Sequence, residues 1–549
     1  MDQRNAKRRN SKFLIFLGLI CIIIFQSCHH PSSDKNIFHY NEATGIPTLD
    51  PAFAKNQSIM WAIHQIYNTL VEVDSGLHII PSLAKSWDIS TDNLTFTFHL
   101  RQDVFFQDNI AFANGKGRKL VADDIVYSLK RIVDKKVASS GAWIFNDKLD
   151  SLNGFNALND STFQLKLIKP FQPILGILSM QYCSIVPKEV VEKFGKDFRS
   201  HPCGTGPFAL LSWDEGQTLI LKRNDHYFER DANGVSLPYL DGIKTTFFDN
   251  KATEFLQFQQ DKLDFIQDVD PSFKDEVLSK KGELRKQWKN KINLIKQPFL
   301  NVEYLGILED STNELVKNSP LKNKKIRQAI NYAIDRRKML LFLHNSLGTP
   351  AESGFVPFGL PSFDSSDVKG YHYDPERSLN LLRSAGYPSG EGIPIIKLIT
   401  IQLYSDLGSF IANELAQVGI KIQVEIIQKS LLIEQTSKSE ALFFRGSWIA
   451  DYPDAENYLS VFYSKNPAPP NYTRYKNPAF DKLYENAIAE KNDSLRMKIY
   501  RQADQLVMKD APVVPLWYDM VVRLVHPYVL NFKTNSLNIL ELRKVKLNK

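Results

Sequence analysis

The chain has 549 residues, too many for one hydrophobic core, so two or three domains are expected. Apolar residues make up 43% and charged residues 23%, an ordinary balance for a folded globular protein rather than a disordered one. The net charge of +7 is concentrated at one end: Arg4, Lys7, Arg8, Arg9 and Lys12 stand against Asp2 in residues 1–27, leaving +3 for the rest. No basic stripe follows, and Lys322-Asn323-Lys324-Lys325 is a short solvated run opening a helix, so a nucleic-acid partner is not expected.

The N-terminus is tripartite. A basic stretch ends at Lys12, an apolar stretch runs from Phe13 to Phe25, and Gln26-Ser27-Cys28 follows. The apolar run is well short of the roughly 20 residues that span a bilayer. It reads as an export signal. Ending at a cysteine, it resembles a lipoprotein signal with Cys28 as the lipidated residue; a plain signal peptide or an uncleaved anchor is the alternative. Residues 28–35 are polar and form a tether. Its His29-His30 pair has no Cys or acid framework and is not read as a metal site.

Strands and helices then alternate. Leu94 to Leu100 has period-two alternation, a half-buried strand. Asp123 to Val133 carries Ile125, Leu129 and Ile132 at helical spacing. Export permits a disulfide between Cys183 and Cys203, closing a loop of about 20 residues. Two free buried thiols are the alternative.

Ile326, Ala329, Ile330, Ala333 and Ile334 form one helical stripe. Asp374-Pro375 opens a helix that Gly386 closes. Ser405 to Val418 reads as a helix stopped by Gly419, and Ile420 to Ile426 alternates as a strand. Asn477-Pro478 and Asp493-Ser494 open two further helices, and Val513 to Val525 is a returning strand. The alternation implies α/β layering.

From about Thr48 to about Thr534 the chain resembles the family 5 extracellular solute-binding proteins, the oligopeptide- and dipeptide-binding components of ATP-driven importers. The blocks occur in the family's order. They are Leu49-Asp50-Pro51, Ile66-Tyr67-Asn68-Thr69-Leu70, Pro81 to Trp87, Thr95 to Arg101, Ala122 to Ser128, Gly204-Thr205-Gly206-Pro207-Phe208, Arg327 to Arg336, Trp448 to Asp454, and Ala511 to Leu516.

The resemblance implies a two-lobed, hinged α/β fold of the periplasmic-binding-protein type (type II, cluster C) with an extra α/β domain in the first lobe. Lobe I would comprise 36–82, 186–298 and 511–549, the extra domain 83–185, and lobe II 299–510. It implies capture of short peptides for the permease of an ABC transporter, at the periplasmic side of a bacterial membrane, by a lipid-anchored monomer without a cofactor. The same fold binding a metal chelate, haem, sugar or cell-wall fragment is the alternative. Residues 107–119 are longer than the family's loop and read as a surface insertion.

The site candidates lie in Arg445-Gly446-Ser447-Trp448-Ile449-Ala450-Asp451. A zwitterionic peptide needs a carboxylate for its ammonium and a cation for its carboxylate, because unpaired buried charge is costly. The resemblance assigns the ammonium to Asp451, the carboxylate to a bidentate Arg445, and a pocket wall to Trp448. The alternatives are a turn cap for Asp451, an inter-strand ion pair for Arg445 and a core role for Trp448. Asp454 is expected to cap the following helix. Gly204-Thr205-Gly206 lacks the Lys-Ser/Thr of a phosphate loop. No Gly-x-Ser-x-Gly elbow or His-Glu-x-x-His helix occurs, so no enzyme activity is expected.

Overall fold

The computed structural model describes residues 36–149, 153–268 and 271–549. The signal, the tether and Cys28 lie outside the described residues. No helix among the described residues is long and apolar enough to cross a membrane.

Among the described residues the strands form three larger sheets and two short ribbons. A four-stranded sheet pairs Ile37–Asn41 in parallel with Gly242–Thr246 and continues antiparallel through Thr218–Arg223 to Phe208–Asp214. A second joins Ala84–Ile89, Thr95–Leu100, Thr162–Lys166 and Phe155–Asn159 in an antiparallel array. Thr95–Leu100 buries Phe96, Phe98 and Leu100 while its threonines and His99 are less covered, as period-two spacing requires.

The largest sheet holds the long strands Asn293–Ile307 and Val513–Val525, with Phe443–Ile449, Ile396–Thr400 and Ile422–Ile426 on one flank. Those three flanking strands run parallel to one another, joined through helices Ser405–Ala416 and Lys429–Ser437. The helices start and stop where short-range chemistry dictates. Asp374 accepts from Arg377 N–H to open Pro375–Ser384, and Asn477 accepts from Ala479 N–H to open Pro478–Ala489. Gly419, at φ +83°, ends the Ser405–Ala416 turn and starts the next strand.

The two long strands pass from one hydrophobic core to another. Ile295 and Val525 pack with the core of the first two sheets, whereas Leu300, Val302, Val513 and Tyr518 belong to a separate core with Phe355, Tyr458 and Phe462. Their antiparallel ladder is continuous from Asn293↔Val525 to Pro298↔Met520 and resumes at Val302↔Tyr518 after a register shift. This paired ribbon with its bulge links the two cores.

Two sequence expectations are corrected. Cys183 and Cys203 are free, buried thiols rather than a disulfide. Cys183 ends the 3-10 turn Gln181–Cys183 inside the aromatic core, while the Cys203 thiol donates to the Gln107 carbonyl at 3.4 Å, so each sulfur is committed to its own surroundings. Residues 107–119 are not merely a surface insertion. Gln107 is buried and its amide donates to the carbonyls of Phe208 at 2.7 Å and Ile66 at 3.2 Å. Arg118 clamps Asp124 and Glu189 at the other end, while Asp108, Ile110, Ala113, Asn114 and Lys116 between these anchors are exposed. The same region explains Gly204 and Gly206: a Cβ at either position would lie 2.2 Å and 2.4 Å, respectively, from the Ile66 backbone, so the glycines serve close packing.

Candidate binding cleft at the carboxyl edge of the parallel strands

In open α/β sheets ligands bind beyond the carboxyl ends of the parallel strands. Here that edge carries the turn Gln402–Tyr404, after Ile396–Thr400, and Ala450-Asp451, after Phe443–Ile449. The edge abuts the inter-lobe ribbon: Ala450 N–H donates to Leu300 C=O at 2.9 Å, and the Tyr458 hydroxyl donates to the same carbonyl at 2.6 Å. Leu300 N–H in turn donates to Ser536 C=O at 3.0 Å. The expected motif is thus pinned to the bulge.

Asp451 is accessible to solvent on one side and flanked on the others by protein, including Tyr182 and Tyr458. Asp451 is exposed, yet desolvation by the protein packed around it raises its carboxyl above the usual aspartate range, and the Asn457 amide, 3.5 Å away, counteracts only part of that. No cation pairs with it among the described residues. The adjoining Tyr452 projects into the core of the other lobe, where its ring lies against Gly176 in helix Ile174–Leu178, while its hydroxyl donates to the buried carboxylate of Glu456. Asp454 accepts from Glu456 N–H at 2.9 Å, the capping role expected of it.

Trp448 is half-buried against the core that includes Val302, its register partner. Its indole N–H donates to Asn457 Oδ1 at 3.0 Å. The wall residue and the acid are therefore fixed by a single buried asparagine, six residues downstream of Asp451, which the sequence reasoning missed. Gly446 in the same motif is required because Tyr304 crosses it: a Cβ there would lie 2.6 Å from the Tyr304 ring.

Arg445 is not a free cation. It is buried and ion-paired with Glu303 of the neighbouring strand, and its guanidinium carbon stands 3.6 Å from the centroid of the Tyr404 ring. The fork expected to grip a ligand carboxylate is occupied from within. Burial pushes the Glu303 carboxyl up to about 7, with Arg445 pulling the other way. Burial and then the Glu303 carboxylate push the Tyr404 phenol up to about 12. Asn301 bridges two acids, donating to Glu303 at 3.3 Å and to Asp519 at 3.1 Å. Glu303, Tyr404 and Asp519 carry no local sequence signal; strand pairing brings Glu303 to Arg445 and Asp519 to the Glu303 side, and the turn after Ile396–Thr400 sets Tyr404 over Arg445.

A separate recess of about 200 Å³ is lined by His64, Glu72, Gln181, Lys533, Glu541 and Arg543. Its Arg543 is engaged by protein carboxylates, contacting Glu229 at 2.7 Å, Glu72 at 2.8 Å and Glu541 at 2.9 Å. None of the expected ligand residues lines it.

The model of the bacterial extracellular solute-binding proteins, family 5, matches residues 78–470. The heme-binding protein A of Haemophilus influenzae is 28% identical, over 91% of this chain and 90% of its own length. The dipeptide-binding protein of Escherichia coli K12 is 26% identical over 86% and 87%. Among solved structures, HbpA2 of Haemophilus parasuis superposes with a TM-score of 0.82 at 24% identity, covering 94% of this chain and 100% of that one. DppA of Helicobacter pylori, solved with the peptide STSA, gives a TM-score of 0.72 at 26% identity, covering 93% and 98%. With the family model spanning well over half of the sequence, and a two-lobed α/β fold to match, this chain belongs to the family 5 bacterial extracellular solute-binding proteins.

Proposed function

We propose that this protein captures short peptides in the cleft between its lobes and delivers them to the permease of an ABC importer. It acts as a monomer on the periplasmic side of a bacterial membrane, held there by a lipid on Cys28, and needs no cofactor. The observation that carries this reading is Asp451: a solvent-facing, partly desolvated carboxylate with no cationic partner among the described residues, at the carboxyl edge of the parallel strands and beside the paired long strands. Such an acid is built to receive an ammonium group. Trp448 forms the wall beside it, and Arg445 marks the end where a peptide carboxylate arrives. The peptide backbone pairs with cleft backbone groups as an added strand, and hinge closure presents both lobes to the permease. Two relatives bind peptides by name, the dipeptide-binding protein and the STSA-bound DppA.

A second reading keeps the fold and changes the guest to a metal chelate, haem, sugar or cell-wall fragment. It is favoured by the ion pair already occupying Arg445 and by the similarity to a heme-binding protein. Calorimetry with di- to pentapeptides tests the first reading: saturable heat is expected, and its absence together with binding of another solute overturns it. Mass spectrometry of material released from the denatured protein identifies the guest directly.

A further inference from the structure

The Glu303–Arg445 pair has features a purely structural ion pair does not need. Glu303 lies on Asn293–Ile307 opposite Ser447, so it meets Arg445 diagonally. The side chains are 4% and 11% exposed. Arg445 Nε is buried with no hydrogen-bond partner, so the guanidinium fork is incompletely used. The lid over it is a single ring, Tyr404, on a short turn whose neighbour Leu403 is 80% exposed. The charged and titratable groups facing Glu303 are Arg445, the Tyr404 and Tyr304 phenols and the Asp519 carboxylate. Beyond Asp519 stand His344, Lys274 and Asp268.

A ligand carboxylate reaching Arg445 would place a third anion in this group, beside Glu303 and Asp519, with one guanidinium to serve them. Like charges that close in a dry site do not all stay ionised. We propose that Glu303 is a stand-in for the ligand's carboxylate: it neutralises Arg445 in the free protein, and when a peptide carboxylate takes that place it accepts one proton and remains as a neutral hydrogen-bonding neighbour. The inference rests on the peptide-binding reading above and deepens it, naming a free carboxyl terminus as the recognised group. The proton comes from solvent and forms one O–H bond on Glu303; Arg445 keeps its own protons throughout. Burial has already brought the Glu303 carboxyl up to about 7, so protonation costs little near neutral pH.

The test is titration calorimetry of the whole protein with tri- and tetra-alanine and with their C-terminal amides, in buffers of different ionisation enthalpy at about pH 8. The free acids are expected to take up roughly one proton per peptide bound, and their affinity to fall about tenfold per pH unit above neutrality. The amides share the Asp451 end and are expected to take up none by this route. Glu303→Gln is expected to bind the acids while losing both the uptake and the pH dependence. Equal uptake by acids and amides, or uptake that survives in Glu303→Gln, overturns the proposal. The acid–amide comparison in the unaltered protein decides the matter even if the variant does not fold. Peptides that bind without this proton signature sink only the role of Glu303, whereas no heat from any peptide sinks the peptide reading and this inference with it.

Discussion

The indole N–H of Trp448 and the carboxylate of Asp451 converge on one side chain, Asn457, whose Oδ1 accepts from Trp448 at 3.0 Å while its amide reaches Asp451 at 3.5 Å. Asn457→Ala removes both tethers and leaves the indole N–H of the half-buried Trp448 without its partner. Peptide affinity is expected to fall about tenfold, in line with about 1–2 kcal/mol for such a loss. Calorimetry measures the affinity, and tryptophan fluorescence reports the freed ring.

Asp451→Asn is expected to cost about 10- to 100-fold in affinity for peptides with a free amine, as for a charge-assisted hydrogen bond, and nothing for N-acetylated peptides. Stability should hold or rise. The folded carboxyl sits above its unfolded value, so the folded state binds the proton more tightly and ionisation at neutral pH opposes folding. Thermal melts beside the binding curves separate the two effects.

Stability should decline as pH rises from about 4 to about 7. Burial pushes Glu303, Glu309 and Asp504 each up to about 7. Their raised folded values contribute stability that is full below the ordinary carboxyl range and is lost through neutrality. Glu541 has the opposite sign: despite burial, Arg543 and His64 hold it low, so its contribution exists above the ordinary range and disappears only in acid. Asp504 accepts from Phe355 and Val356 N–H but has no cationic partner among the described residues. Asp504→Asn should flatten the decline by on the order of a few kcal/mol, read as melting temperature against pH.

Reductant should leave the melting temperature unchanged, whereas breaking a native bridge costs roughly 2–5 kcal/mol. Burial pushes the Cys203 thiol up to about 12 and that of Cys183 higher still. Alkylation should therefore miss both in the native protein and modify both after denaturation, as peptide mapping would show.

Cys28→Ala is expected to move the protein from the membrane fraction to the soluble fraction of cells. Mass spectrometry of the unaltered protein should find the acyl chains on the peptide that begins at residue 28.

Much of the fold is legible in the sequence because it rests on short-range rules. The alternation at Thr95–Leu100, the caps Asp374 and Asn477 and the stop at Gly419 each act within a few residues, and the structure places elements where they predict. The family's blocks supply the order of those elements. The setting of Arg445 is not local. Its partner is 142 residues away, and only the pairing of Asn293–Ile307 with Phe443–Ile449 brings them together. The cysteines teach the same point in reverse: a short loop permits a bridge, but side-chain direction decides it, and Cys203 turns to a carbonyl instead.

The two cores are linked by two long strands hydrogen-bonded to each other, not by two independent threads. A lone strand bends in any direction; a laddered ribbon resists splaying in its own plane and yields by torsion, most readily where the ladder is interrupted between Pro298 and Val302. Motion about this ribbon is therefore expected to favour twist over splay. Asn301 and Asp519, bonded to each other at 3.1 Å, sit inside that interruption, so the place where the ribbon is softest is also the place where it carries paired polar side chains.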